Sequence, residues 1–221
     1  MKNLKTGILA VSTAMLMMAC GSTPGEKVEA KEEQEVQKAA ITAKTLNVDA
    51  AASQVMWIGA KPTGTHEGTL NVKEGVLKME DDKLVAGNFT LDMTSINVTD
   101  LEGDDKAKLE GHLKGTSAPE VADHFFNTAK YPTATFEISK IEAVEGKENV
   151  THNITGNLTM KDKTKSVTLP AKVGYADGVL TAETPDFKID RTEWGIEFKS
   201  SKVGEMGIND EISMKIKLQA K

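Results

Sequence analysis

Four histidines, one cysteine and one arginine are the side chains of this 221-residue sequence whose chemistry is hardest to replace. The histidines are His66, His112, His124 and His152. A metal site needs several converging ligands, commonly with carboxylates behind them. No His-X-His or HExxH spacing occurs, so hydrogen-bonded loop histidines are expected. His112 and His124, with Asp123 beside them, are the pair able to meet in space. Nucleophilic catalysis has no support, because there is no Gly-X-Ser-X-Gly elbow and serines such as Ser95 and Ser166 have no identifiable base. Carboxylate runs such as Glu80-Asp81-Asp82 and Asp104-Asp105 fall in turn-like segments, where solvation explains them. The Asn-X-Thr triplets at Asn88, Asn97, Asn149, Asn153 and Asn157 read as strand threonines on outward faces, not as glycan acceptors. No enzyme activity, cofactor or metal is expected.

Arg191 is the only arginine of a lysine-rich chain. A guanidinium used once implies a geometric need for its planar fork, such as a carboxylate or an aromatic face. Two roles follow: a salt bridge that closes the fold, or a contact with the polar head of a ligand. Cys20 is equally alone and has no disulfide partner within the chain. It ends an apolar run, 7–19, that follows Lys2 and Lys5. That is the pattern of an export signal, too short to span a bilayer. Ala19-Cys20-Gly21, with Met17 and Leu16 upstream, resembles a lipoprotein cleavage site. Residues 1–19 are therefore expected to be a signal peptide and Cys20 to carry the diacylglycerol and N-acyl (palmitate) anchor. Gly21 in place of Asp favours an outer membrane, facing the periplasm, and the acidic run Glu32, Glu33, Glu35 leaves surface display as the alternative. Residues 20–44 are rich in Glu, Lys, Ala and Gln, so a flexible tether is expected. The net charge of −6 and the absence of a basic stripe give no reason to expect nucleic acid.

These residues are carried by a domain, 45–221, that alternates like β-sheet. Val85, Gly87, Phe89, Leu91 and Met93 take every second position, and Ile154 to Met160, Val167 to Tyr175 and Ile212 to Leu218 repeat the pattern. Shorter strands are expected at 55–60, 68–72, 75–79, 136–141, 179–183 and 187–191. Lys73-Glu74-Gly75 and Ala176-Asp177-Gly178 suit tight hairpins, and residues 160–164 a polar reversal. An all-β fold follows: an elongated antiparallel barrel of about eight strands, closed so that no edge is exposed. Gly87 and Gly156 on the inward face mark either curvature or the close approach of a ligand. One long connection, 100–131, interrupts the alternation. It carries a charged helical segment around Lys106 to Leu109, then an expected short helix capped by Ser117 and running to Phe125. Phe125 and Phe126 would face different sides of it, one on the barrel end and one at an entrance.

The ordered series His112-Leu113, Phe125-Phe126-Asn127, Tyr131-Pro132, Thr135-Phe136, Ile154-Thr155-Gly156-Asn157-Leu158-Thr159 and Val167-Thr168-Leu169-Pro170 resembles the YceI-like family. The segment 189–196 is similar too, whereas 61–67 departs from the commoner pattern. The resemblance implies an exported, lipocalin-like barrel and suggests a polyisoprenoid inside it. The expected function is therefore a lipid-anchored, non-catalytic carrier or storage protein for an isoprenoid or other long-chain lipid. The alternative is an envelope interaction protein with a filled barrel and no lipid ligand. The expected lining is Trp57, Val85, Phe89, Leu91, Phe125 and Phe126 on one side. Phe136, Leu158, Met160, Val173 and Trp194 complete it, with Arg191 at the mouth.

Overall fold

The structure is a computed structural model, and it describes residues 23–36, 38–202 and 207–221. The expected signal peptide and Cys20 lie outside the described residues. In chain order the strands are β1 (Glu26–Lys27), β2 (Lys44–Asn47), β3 (Gln54–Lys61), β4 (Gly64–Glu80) and β5 (Lys83–Val98). Helix α1 (Gly103–Lys114) opens the long connection. Then come β6 (Thr133–Ala143), β7 (His152–Met160), β8 (Lys163–Ala176), β9 (Val179–Glu183), β10 (Phe187–Asp190) and β11 (Glu211–Ala220).

Neighbouring strands from β3 to β9 pair antiparallel, all but β5 and β6 directly linked, and β11 pairs with both β3 and β9. The result is a closed eight-stranded antiparallel barrel with one short α-helix. Full closure leaves no long free edge. Asp177 and Gly178 both take positive φ, 52° and 80°, which makes the expected type I′ turn between β8 and β9. The hairpin expected at Lys73-Glu74-Gly75 does not form. Strand β4 runs straight through it, and the register with β5 shifts between Val72 and Glu74, as in a bulge. A bulge uses the same polar-glycine signal as a turn but bends the strand without reversing it. The reversal comes at Asp81 and Asp82, with φ of 47° and 59°.

Strand β11 has two partners on one side: its first residues pair with β10 and its last with β9. Strand β8 meets β9 only from Lys172 onwards. A seam therefore lies between the first half of β8 and β10. The N-terminal segment fills it. Glu26 and Lys27 run parallel to Phe187 and Lys188, and the Val28 amide donates to the Lys188 carbonyl at 2.8 Å. Lys31 and Ser166 exchange two backbone hydrogen bonds, at 2.8 and 2.9 Å. Farther on, Gln34 is held through both backbone groups by the Asn157 side chain, at 3.0 and 2.7 Å. Residues 23–36 were expected to be part of a solvated tether, and this contact corrects that expectation. Their composition is polar, yet Val28 and Ala30 pack on the core, and backbone pairing needs no particular side chain. Asn157 faces out of the barrel as its alternation predicts, but it is buried there beneath this strap.

The inward glycines are explained by side chains. A Cβ on Gly156 would lie 2.4 Å from the Phe136 ring, and one on Gly87 would lie 2.5 Å from Leu77. Neither position leaves space for a ligand.

Candidate functional site

The barrel is hollow at one end only. A cavity of about 410 Å³ occupies the end carrying the β3–β4 turn and the 99–132 connection. Its wall is apolar: Trp57, Leu70, Leu91 and Met93 on one side, and Leu158, Met160, Ile189 and Met214 on the other. Toward the far end the inward residues of β4 to β8 close up around a separate void of about 40 Å³.

The 99–132 connection roofs the cavity. Helix α1 is fixed on β5 by Glu110, whose Oε1 accepts from the Val98 amide at 2.9 Å. It lays Leu109, His112 and Leu113 over the opening. Gly115 ends the helix at φ 72°, and a Cβ there would lie 2.3 Å from the Ala122 carbonyl oxygen. Only glycine satisfies both demands. The chain then folds back, so that the Phe126 amide donates to the Leu113 carbonyl and the Thr128 amide to that of Lys114, at 3.1 and 2.8 Å. The expected helix from Ser117 to Phe125 is absent. A single 3-10 turn, Pro119–Val121, follows Ala118 with no side-chain cap. The backfolding against α1 supplies the backbone partners that a helix would have supplied. Consequently Phe125 and Phe126 both line the cavity, where opposite sides had been expected.

Beside this roof lies the loop between β10 and β11, contributing Ile196, Phe198, Lys199 and Ile208. Arg191 holds the loop. Its guanidinium donates to the carbonyls of Ile196 (2.7 Å), Phe198 (3.1 Å), Ile208 (3.2 Å) and Asn209 (3.2 Å). It sits 3.1 Å from Asp210 Oδ1, and its Cζ lies over the Phe125 ring, 5.9 Å from the ring centroid. Burial lowers its pKa, against the opposing pull of Asp210 and Asp190. At 1% exposure, with its fork committed to four carbonyls and a carboxylate, Arg191 fits the structural role better than the ligand-contacting one.

His112 and His124 do meet. His112 Nε2 and His124 Nδ1 are 2.9 Å apart, so one imidazole donates and the other accepts. His124 stacks on Phe198 with ring centroids 3.8 Å apart, and His112 stands edge-on to Phe125 and Phe198. Among the described residues no three His, Cys, Asp or Glu side chains converge as a metal site would require. His66 pairs instead with Asp100 at 2.8 Å, and His152 with the Thr151 hydroxyl at 2.8 Å.

Burial, then the charges of His124 and Lys199, lower the His112 pKa from its ordinary 6.5. The unfolded chain thus binds a proton that the folded one refuses, and stability rises with pH across this titration. The unfolding midpoint is therefore expected to fall as pH drops below about 6.5, the ordinary histidine value. In His112→Gln this part of the pH dependence should flatten. The native carboxylates with lowered pKa, such as Asp190, act only at more acid pH. An unchanged profile in thermal unfolding between those limits would remove the claim.

Seven of the expected lining residues surround the cavity: Trp57, Leu91, Phe125, Phe126, Leu158, Met160 and Arg191. The others do not. Phe89 and Phe136 line the small far void. Val85 falls where the β4–β5 register shifts, between Lys78 and Met79, so it leaves the inward face that Phe89 keeps. Val173 pairs with Ala182 well down the barrel. Trp194 is buried in the wall behind the cavity, its Nε1 donating to the Leu158 carbonyl at 2.9 Å. Alternation reveals which face a residue takes but not its depth along the barrel. The loop residues Ile196, Phe198 and Ile208 carry no periodic signal, and only the solitary Arg191 pointed toward them.

Comparison with known proteins follows from this geometry. Residues 46–220 match the model of the YceI-like domain. Protein YceI of Escherichia coli O17:K52:H18 is 33% identical over 113 residues, half of this chain and half of that protein. A UPF0312 protein of Yersinia pestis is 31% identical over 108 residues, 48% of this chain and 47% of that one. The chain thus spans about half the length of the curated relatives it matches. Two solved structures share the fold. BcnA of Burkholderia cenocepacia has a TM-score of 0.60 at 24% identity, over 79% of this chain and 99% of that one. A polyisoprenoid binding domain of Saccharophagus degradans, implicated in plant cell wall breakdown, has a TM-score of 0.55 at 13% identity, over 80% and 97%.

Proposed function

Because this chain belongs to the YceI-like family, we propose that it is a non-catalytic carrier or storage protein that takes the apolar chain of an isoprenoid into its barrel. The observation that carries this reading is the apolar cavity of about 410 Å³ beneath the roof of Phe125 and Phe126. A mixed wall of aliphatic, methionine and aromatic side chains adapts to a flexible chain. Burial of that chain supplies affinity at roughly 25 cal/mol per Å², before the costs of association. The polyisoprenoid-binding neighbour of similar fold supports the choice of ligand. The apolar run ending at Cys20 supports export and a lipid anchor at that cysteine, placing the protein in the cell envelope with the outer membrane's periplasmic face favoured. The closed far half of the barrel gives the second reading, an envelope interaction protein without a lipid, its only specific support.

Mass spectrometry of an organic extract from the purified protein separates the two. A prenyl lipid is expected in the extract, and Phe126→Ala, which leaves the walls intact, is expected to lower its content several-fold. Repeated extracts without lipid, together with no uptake of an added prenyl alcohol, would sink the carrier reading.

A further inference from the structure

The two voids of the barrel share no lining residue. What separates them is visible in the register. On β5 the inward residue after Leu91, which lines the cavity, is Phe89, which lines the far void. Across the ladder Phe89 pairs with Phe136, and Phe136 with Leu158, which again lines the cavity. The two rings lie 5.4 Å apart between centroids and tilt by 32°, and both are almost fully buried. Phe136 has nowhere to retreat from the β7 side, because its ring already occupies the place a Cβ on Gly156 would take. Phe89 is likewise confined: a Cβ on Gly75, its partner on β4, would come within 2.8 Å of its own Cβ. The glycines thus let two large rings enter a layer that side chains on both neighbours would have filled.

We infer that the Phe89–Phe136 pair is the floor of the ligand cavity and sets the longest chain the barrel accepts whole. The inference rests on the carrier reading and deepens it. A volume of about 410 Å³ lies toward the lower end of the roughly 300–1,000 Å³ typical of small-molecule pockets. A short prenyl chain fits between roof and floor. A long one meets the two rings and must leave its remainder outside, where the apolar surface stays in water. Beyond the floor the next space is the void of about 40 Å³, whose inclusion would lengthen the tunnel toward the far end.

The test is a binding series with farnesol, geranylgeraniol and solanesol, followed by quenching of the fluorescence of Trp57, which lines the cavity. The unsubstituted protein is expected to bind the shorter alcohols at least roughly tenfold more tightly than solanesol, the order of discrimination that about 1.4 kcal/mol gives. Phe136→Ala joins the two voids and is expected to bring solanesol within about threefold of geranylgeraniol. Should Phe136→Ala fail to fold, Phe136→Leu and Phe89→Leu keep the layer apolar while removing ring area, and each is expected to narrow the preference in the same direction. Equal binding of all three alcohols by the unsubstituted protein overturns the floor and leaves the carrier reading standing. So does a preference unchanged in a folded floor variant. Binding of none of the three overturns the carrier reading itself.

Discussion

Arg191→Lys is expected to lower the free energy of unfolding by about 3–5 kcal/mol, as two or more of its carbonyl partners lose their donors at about 1–3 kcal/mol each. Lysine preserves the charge, so a purely Coulombic role would survive the change. The geometry argues otherwise. One planar fork reaches four carbonyls distributed over Ile196, Phe198, Ile208 and Asn209, and it also neutralises Asp210. An ammonium is a compact point charge and cannot span that arrangement. Carbonyls left without donors in a buried site cost about 1–3 kcal/mol each. Among the described residues, Asp210 would retain Ser200 and Ser201, which donate to its Oδ2 at 2.8 and 3.0 Å. Denaturant unfolding measures the loss, and amide exchange should show faster opening of the loop between β10 and β11. A midpoint near that of the unsubstituted protein would mean that the carbonyl cage is not a structural requirement.

Deletion of residues 23–34 is expected to produce both instability and self-association. The strap donates backbone hydrogen bonds from Val28 and Lys31, accepts one from Ser166 at the Lys31 carbonyl, and packs Val28 and Ala30, partly buried, against the core. At about 1 kcal/mol for each of three hydrogen bonds, and less than about 1.5 kcal/mol for a valine that is only partly buried, the loss is roughly 3–4.5 kcal/mol. Self-association follows from different physics. Without the strap, β8 around Ser166 and β10 around Lys188 present unpaired backbone groups along a seam, and such edges recruit strands from other molecules. The expected observation is a lower unfolding midpoint together with concentration-dependent elution in size-exclusion chromatography. A monomer of unchanged stability would show that the seam tolerates water.

Much of the barrel was legible in the sequence because strand alternation and turn chemistry are local. Asp177-Gly178 can hardly make anything but a tight reversal, and Ile212 to Leu218 alternates without a break. Lys73-Glu74-Gly75 misled because bulges and turns draw on the same residues. Their difference lies in whether the next strand pairs forward or backward, which is decided across the sheet. The roof was legible in its position and its aromatic residues, but not in its conformation. Phe125 and Phe126 were assigned to opposite sides of a helix, whereas the backfolding against α1 turns both toward the cavity. Phe89 and Phe136 were read as lining because they face inward, and they do. That they meet and close the barrel depends on the register of β5 with β6, which no single strand encodes. The seam was invisible for a further reason: its filler is a polar segment held largely through its backbone, which carries no sequence signal.

The strap has a mechanical consequence. Thr23, its first described residue, is buried, and only three peptide steps separate it from Cys20. Fully extended, those steps reach about 10 Å. An acyl anchor on Cys20 would therefore meet the barrel within that reach, and not at the end of a leash of two dozen residues. The described chain reaches Thr23 just before Gly25 packs against Asp186, on the flank of the barrel where the seam begins. With such an anchor, the reach of those three steps would set how far the barrel could stand from the lipid surface.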